Sequence, residues 1–147
     1  MRVSGGDIGA QTEVHVTASH RSGTSRASDA PPLALVVDDS ESVRSFVSRV
    51  LRLEGWSVLE APDAIAAMAL AGSGQIDLLV TDFEMPHVTG VTLAEQLRKA
   101  DADLPVMLVS GHPDAARSMR KLRGRTAFTA KPFRVAELIA GIGSIVG

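Results

Sequence analysis

Between Leu33 and Ile142 the chain alternates short apolar runs with stretches whose apolar residues recur at helical spacing, and few folds accept that alternation. Leu33–Val37, Trp56–Glu60, Ile76–Thr81, Pro105–Val109 and Thr126–Ala130 read as strands. Ser40 predicts the N-cap of a first helix with Val43, Phe46, Val47, Val50 and Leu51 on one face, closed at Gly55. Pro62 suits the first turn of an Ala-rich second helix holding Ile65, Met68 and Leu70, which Gly72-Ser73-Gly74 breaks. Val91, Ala94 and Leu97 mark a third helix. Pro113 starts a fourth with a thin stripe of Ala115, Met119 and Leu122. Val135, Leu138, Ile139 and Ile142 mark a fifth, whose end should fray at Gly141 and Gly143. Five strands alternating with five helices predict an α/β fold around a parallel sheet.

The polar residues that end these runs carry the functional signal. Asp38 and Asp39 follow the first strand, Asp82 the third, Ser110 the fourth and Lys131 the fifth. In a doubly wound, flavodoxin-like sheet of order 2-1-3-4-5, strands one and three meet at the topological switch point, and ligands bind there, outside the carboxyl ends of the strands. Asp38, Asp39 and Asp82 would converge within several ångströms. Two like charges about 5 Å apart repel by roughly 3 kcal/mol at an effective dielectric of about 20. A hard divalent cation relieves that repulsion, and an all-oxygen donor set favours Mg²⁺. Asp82 is then placed to attack phosphorus as a nucleophile, with Ser110 and Lys131 as phosphate ligands. Taken singly, Asp38 reads as a helix cap, Asp82 as a turn residue, Ser110 as a loop hydroxyl and Lys131 as a solvated amine. The order in which they occur favours one joint site.

Composition sets the outer limits. The 147 residues are 45% apolar but only 3% aromatic, so the core must come from Val, Leu, Ile, Ala and Met. The formal charge of −2 gives no bulk attraction to nucleic acid or to an anionic membrane. With no cysteine, disulfides and thiolate chemistry are excluded. No run approaches the length of a membrane span, and no secretory h-region is visible, so the expected location is the cytoplasm. Residues 1–32 are rich in Ser, Thr and Gly and close on Ala30-Pro31-Pro32; they read as a flexible polar tail before a domain at 33–147, with at most a weak strand at Glu13–Thr17. His15 and His20 in that tail have no carboxylate partners that would make a metal site.

Val36-Val37-Asp38-Asp39, Val80-Thr81-Asp82-Phe83-Glu84-Met85-Pro86, Val109-Ser110-Gly111 and Lys131-Pro132-Phe133 resemble, in order and spacing, the receiver (response-regulator) domain of two-component signalling. The resemblance covers about residues 33 to 147. It implies a phosphohistidine donor on a sensor histidine kinase or histidine phosphotransfer protein, and Asp82 as the phosphoacceptor. It implies Mg²⁺ held by Asp38, Asp39, Asp82 and the main-chain carbonyl of Glu84, and a cis Lys131–Pro132 bond. It implies that Ser110 and Phe128 switch together on phosphorylation, and that Glu84 and His112 tune loss of the phosphoryl group. Such a domain is a signalling phosphoacceptor rather than an enzyme. Leu108-Val109-Ser110-Gly111-His112 resembles receivers attached to hybrid histidine kinases.

No output module is expected after Gly147, and the tail is too polar to hold one. The expectation is therefore a stand-alone receiver that acts on an unknown downstream protein or relays its phosphoryl group, without direct contact to nucleic acid or membrane. Two alternatives stand beside it. A pseudo-receiver would bind partners without phosphorylation, against the intact acidic set. A Mg²⁺-dependent phosphohydrolase with an aspartate nucleophile would need a second Asp where Glu84 stands, and a cap segment. Asp38 and Asp39 are expected to serve the metal and not stability. Arg117, Arg120, Lys121, Arg123 and Arg125 form a basic stretch without an acid, read either as a solvated face or as a docking surface for an acidic partner. His87 reads as a loop residue.

Overall fold

The computed structural model describes residues 30–147. The expected tail up to residue 29, its weak strand and its two histidines lie outside the described residues. Five parallel strands, β1 (Leu33–Val37), β2 (Ser57–Ala61), β3 (Leu78–Asp82), β4 (Val106–Ser110) and β5 (Thr126–Ala130), pair in the order β2-β1-β3-β4-β5. They alternate with α1 (Glu41–Leu53), α2 (Ala64–Ala71), α3 (Gly90–Arg98), α4 (Ala115–Met119) and α5 (Val135–Val146). This is the doubly wound α/β architecture that the alternation predicts, in the expected strand order.

Strand periodicity sorts the core into two layers. Ala34 and Val36 of β1, Leu78 and Val80 of β3, and Met107 and Val109 of β4 point to one face. There they meet Val47, Val50 and Leu51 of α1 and Leu138, Ile142, Ile145 and Val146 of α5. Leu35, Val37, Leu79 and Val106 point to the other face, against Ala64 and Ala67 of α2 and Leu93, Ala94 and Leu97 of α3. The three central strands are buried on both faces, which is why their sequences are continuous apolar runs rather than alternating ones.

Local signals locate most helix ends. Ser40 caps α1, its side chain accepting from the Val43 N–H, and Gly55 follows the helix at φ +98°. Thr89 caps α3 in the same way, accepting from Thr92. Several expected bounds shift. β2 begins at Ser57 rather than Trp56, and β3 at Leu78 rather than Ile76. The cause at β3 is Asp77, whose buried carboxylate accepts the Leu33 N–H at 2.8 Å and tethers the start of β1. Pro62 precedes α2 rather than opening it; the cap is Asp63, which accepts from Ala66. α4 starts after Pro113 and lasts only to Met119, so Leu122 lies beyond it. Phe46 is 40% exposed because it reaches past the core to Phe133, with ring centroids 6.0 Å apart.

α5 runs unbroken through Gly141 and Gly143, against the expected fraying. A Cβ at Gly141 would stand 2.7 Å from Met107 Cε, so this glycine lets α5 lie close on the sheet.

Candidate functional site at the carboxyl edge of the sheet

All the singled-out acidic, hydroxyl and amine groups lie at one edge, because parallel strands end there together. β1 leads into Asp38, which is buried, and Asp39, which is exposed. Asp38 Oδ1 accepts the Ser40 N–H at 2.9 Å, folding the acidic turn back on itself. Its main-chain carbonyl accepts from Arg44 at 2.8 Å, and the Arg44 Nε lies 3.3 Å from Glu60. The turn is thus held from α1 and β2 together. β3 ends on Asp82, also buried, whose Oδ1 faces the Glu84 N–H at 3.4 Å. One ligand atom each from Asp38, Asp39 and Asp82 lie within 4.8 Å of one another.

Lys131 closes the site from β5. Its Nζ lies 3.0 Å from Asp38 Oδ2 and 3.3 Å from Asp82 Oδ2. Burial opposes the charge on this amine, but the hydrogen bond and charge of Asp38, and then those of Asp82, outweigh it and raise the pKa above its ordinary value. The Lys131–Pro132 bond is cis, as the resemblance implies, and the Lys131 N–H donates to the Ser110 carbonyl. Ser110 is buried at the end of β4, its Oγ accepting the His112 N–H at 3.0 Å.

The donor set fits a hard divalent cation. It consists of oxygens, carries three formal negative charges, and leaves one member, Asp39, open to solvent. Asp38 departs from the expectation that it serves only a metal. It also holds its own turn and neutralises Lys131, whereas Asp39 makes no such bond among the described residues.

Phe128 pairs in register with Leu108 and packs, half-buried, against Phe83, Val91, Leu108 and Ala115. His112 lies beside this cluster, its ring centroid 5.1 Å from that of Phe83, and its Nδ1 accepts the Asp114 N–H. Glu84 is exposed at the rim, as is His87.

Sequence reasoning missed three supporting residues. Arg44 is an arginine one turn after a helix cap, and its spacing alone does not reveal that it turns back to the Asp38 carbonyl. Gly90 begins α3 against the backbone of the candidate phosphoacceptor; a Cβ there would fall 2.1 Å from the Asp82 carbonyl oxygen. Arg98 ends α3 and donates to the carbonyls of Leu104, Arg123 and Arg125 and to Thr126 Oγ1. Desolvation lowers its pKa, with Asp101 and Asp103 acting in the opposite direction.

Residues 34–143 match the response regulator receiver domain family. The chain is 34% identical over 116 residues to the transcriptional regulatory protein PrrA of Mycobacterium tuberculosis, covering 78% of this chain and 50% of that one. It spans about half the length of the curated relatives it matches. The fold is similar to the chemotaxis protein CheY4 of Vibrio cholerae, with a TM-score of 0.71 at 26% identity over 79% of this chain and 99% of that one. It is also similar to the receiver domain of the hybrid histidine kinase CckA, with a TM-score of 0.66 at 32% identity over 78% and 99%. No helix among the described residues is long and apolar enough to cross a membrane. Strand order, the acidic cluster and the match across most of its length agree that this chain belongs to the response regulator receiver family of two-component signalling.

Proposed function

We propose that this receiver takes a phosphoryl group from a phosphohistidine, on a sensor histidine kinase or a histidine phosphotransfer protein, onto Asp82. The observation that carries the reading is the convergence of Asp38, Asp39 and Asp82 within 4.8 Å with Lys131 bridging two of them. Asp38, Asp39, Asp82 and the Glu84 main-chain carbonyl would hold a Mg²⁺ ion, which when bound would supply charge neutralisation for the incoming phosphoryl oxygens.

A carboxylate oxygen of Asp82 attacks phosphorus, the P–N bond breaks, and the electron pair leaves with the imidazole. The product is an acyl phosphate on Asp82. Lys131 exchanges its contact with Asp82 for a phosphoryl oxygen, a move within its present reach. Ser110 Oγ gives up the His112 N–H and turns to another phosphoryl oxygen. That movement loosens the contact of the His112 loop with Phe83, next to Phe128, and lets Phe128 turn inward. Glu84 and His112, at the rim, govern access of the water that later cleaves the acyl phosphate to aspartate and inorganic phosphate.

The domain works in the cytoplasm and passes its signal by protein–protein contact or onward phosphotransfer. The chemistry is tested with Mg²⁺ and phosphoramidate followed by intact mass. The expected result is a slowly decaying phosphoryl adduct, absent from Asp82→Asn. Continuous phosphate release without an adduct would show a hydrolase, and no reaction a pseudo-receiver; either overturns the proposal.

A further inference from the structure

A helix at a protein surface ordinarily carries a polar face, and α2 does not. Its residues, Ala64–Ala71, include no polar side chain, and α2 alone among the described helices lacks a charge. One side of it is accounted for. Ala64 and Ala67 are buried, and Ala66, Leu70 and Ala71 pack on the core of that sheet face. The other side is not. Ile65 is 73% exposed and Met68 42%, and neither is part of that core. Ala69 and Gly72 are exposed beside them. Ile65 and Gly72 are two turns apart and so share one line along the helix, with Met68 and Ala69 to either side of it.

Nothing inside the fold asks for glycine at 72. Its φ of −71° suits any residue, and a Cβ there would meet only ordinary contacts, 3.6 Å from the Ala69 carbonyl oxygen and 3.7 Å from that of Met68. An antiparallel pair of α2 helices about a two-fold axis gives every one of these positions a use. With the axis level with the Met68–Ala69 peptide, Ile65 of each copy lies over Gly72 of the other, a large side chain over a missing one. Met68 meets its own counterpart on one side of the contact line, and Ala69 meets its own on the other. Methionine adapts its shape to such a contact, and paired alanines let the helices approach closely. The face is thus complementary to itself in size. Charges across an interface are what turn wrong partners away, and this face has none to reject a second copy.

We infer that the exposed face of α2 is the seat of a second copy of this chain, held as a reversible two-fold dimer. A helix of eight residues is about 12 Å long. A contact of that length falls short of the roughly 800 Å² per partner buried in stable complexes, so the dissociation constant is on the order of 0.1 mM. The face exists without a phosphoryl group. The inference therefore stands apart from the proposed chemistry and is tested on the unmodified protein.

Sedimentation velocity of the full chain, from about 10 µM to about 1 mM, should show the average mass rising from the monomer's toward twice that value. Met68→Lys sets like charges against each other at the axis, and so does Met68→Glu; each should raise the dissociation constant tenfold or more. An equimolar mixture of the two should regain wild-type association, because opposite charges then meet, and a folding defect would not be repaired in this way. Ala69→Cys supplies a lone thiol to a chain without cysteine, and mild oxidation should link it to its counterpart as a dimer. Leu53→Cys, 78% exposed on α1, should stay monomeric under the same oxidation. A monomer at every concentration would leave α2 to a different protein or to residues 1–29 and overturn the inference. So would a dimer indifferent to both Met68 variants, a mixture that fails to reassociate, or cross-linking of Leu53→Cys as ready as that of Ala69→Cys.

Discussion

Lys131→Met separates what the acidic cluster does for the metal from what it does for the fold. At an effective dielectric of about 20, the contacts of 3.0 and 3.3 Å to Asp38 and Asp82 correspond to roughly 5 kcal/mol of attraction each, before desolvation is subtracted. Removing one partner of a fully buried pair costs about 3–5 kcal/mol, because the other charge is left uncompensated. The Lys131 side chain is 23% exposed, so a loss of about 2–3 kcal/mol is expected without metal. Urea unfolding in chelator measures this directly. The folded-state pKa of Lys131 is raised, so its contribution is fully present below the ordinary value of 10.5 and is lost as pH rises through the raised one. The deficit should therefore be constant between neutral pH and about pH 9. Added Mg²⁺ should close most of the gap, since the variant lacks the competing cation and is stabilised more by the ion. Asp39→Ala should instead leave metal-free stability unchanged or slightly raised, because it relieves repulsion and breaks no described bond. A deficit below about 1 kcal/mol, or one that Mg²⁺ leaves untouched, would refute the view that Lys131 is the resident counter-ion of this cluster.

Other substitutions probe the frame around the site. Gly90→Ala should cost about 2–4 kcal/mol in chemical unfolding and slow phosphorylation, since its Cβ meets the Asp82 carbonyl oxygen at 2.1 Å. Gly141→Ala should lose about 1–2 kcal/mol against Met107, while Gly143→Ala, with nothing within 4 Å, should gain about 0.5–1 kcal/mol; calorimetry of the pair checks both signs. Ser48 Oγ is buried with no hydrogen-bond partner among the described residues, so Ser48→Ala should be neutral or stabilising by up to about 1 kcal/mol in the same assay.

The periodicity that marks the strands is strong because the three central strands are buried on both faces, and the groups at their ends stand out against those runs. Asp38, Asp39, Asp82, Ser110 and Lys131 were legible for that reason. Asp77 was not, because a buried carboxylate just before β3 sits inside what reads as one apolar run from Ile76. Residues that grip backbone were equally hidden. Arg44 and Arg98 bind carbonyls, and a carbonyl has no sequence signature. The run of α5 through its two glycines depends on an approach to Met107 that only three-dimensional packing reveals. The sharing of labour between Asp38 and Asp39 depends on which carboxylate turns toward Ser40 and Lys131, and adjacent identical residues do not distinguish this.

The Arg98 clamp has a consequence for how such a domain changes over generations. Its acceptors at Leu104, Arg123 and Arg125 are main-chain oxygens, which every amino acid supplies. The shape of the turn is thereby decoupled from the identity of the side chains it displays. The side chains at 123 and 125 can therefore change one at a time while the course of the turn, set by Arg98, is kept.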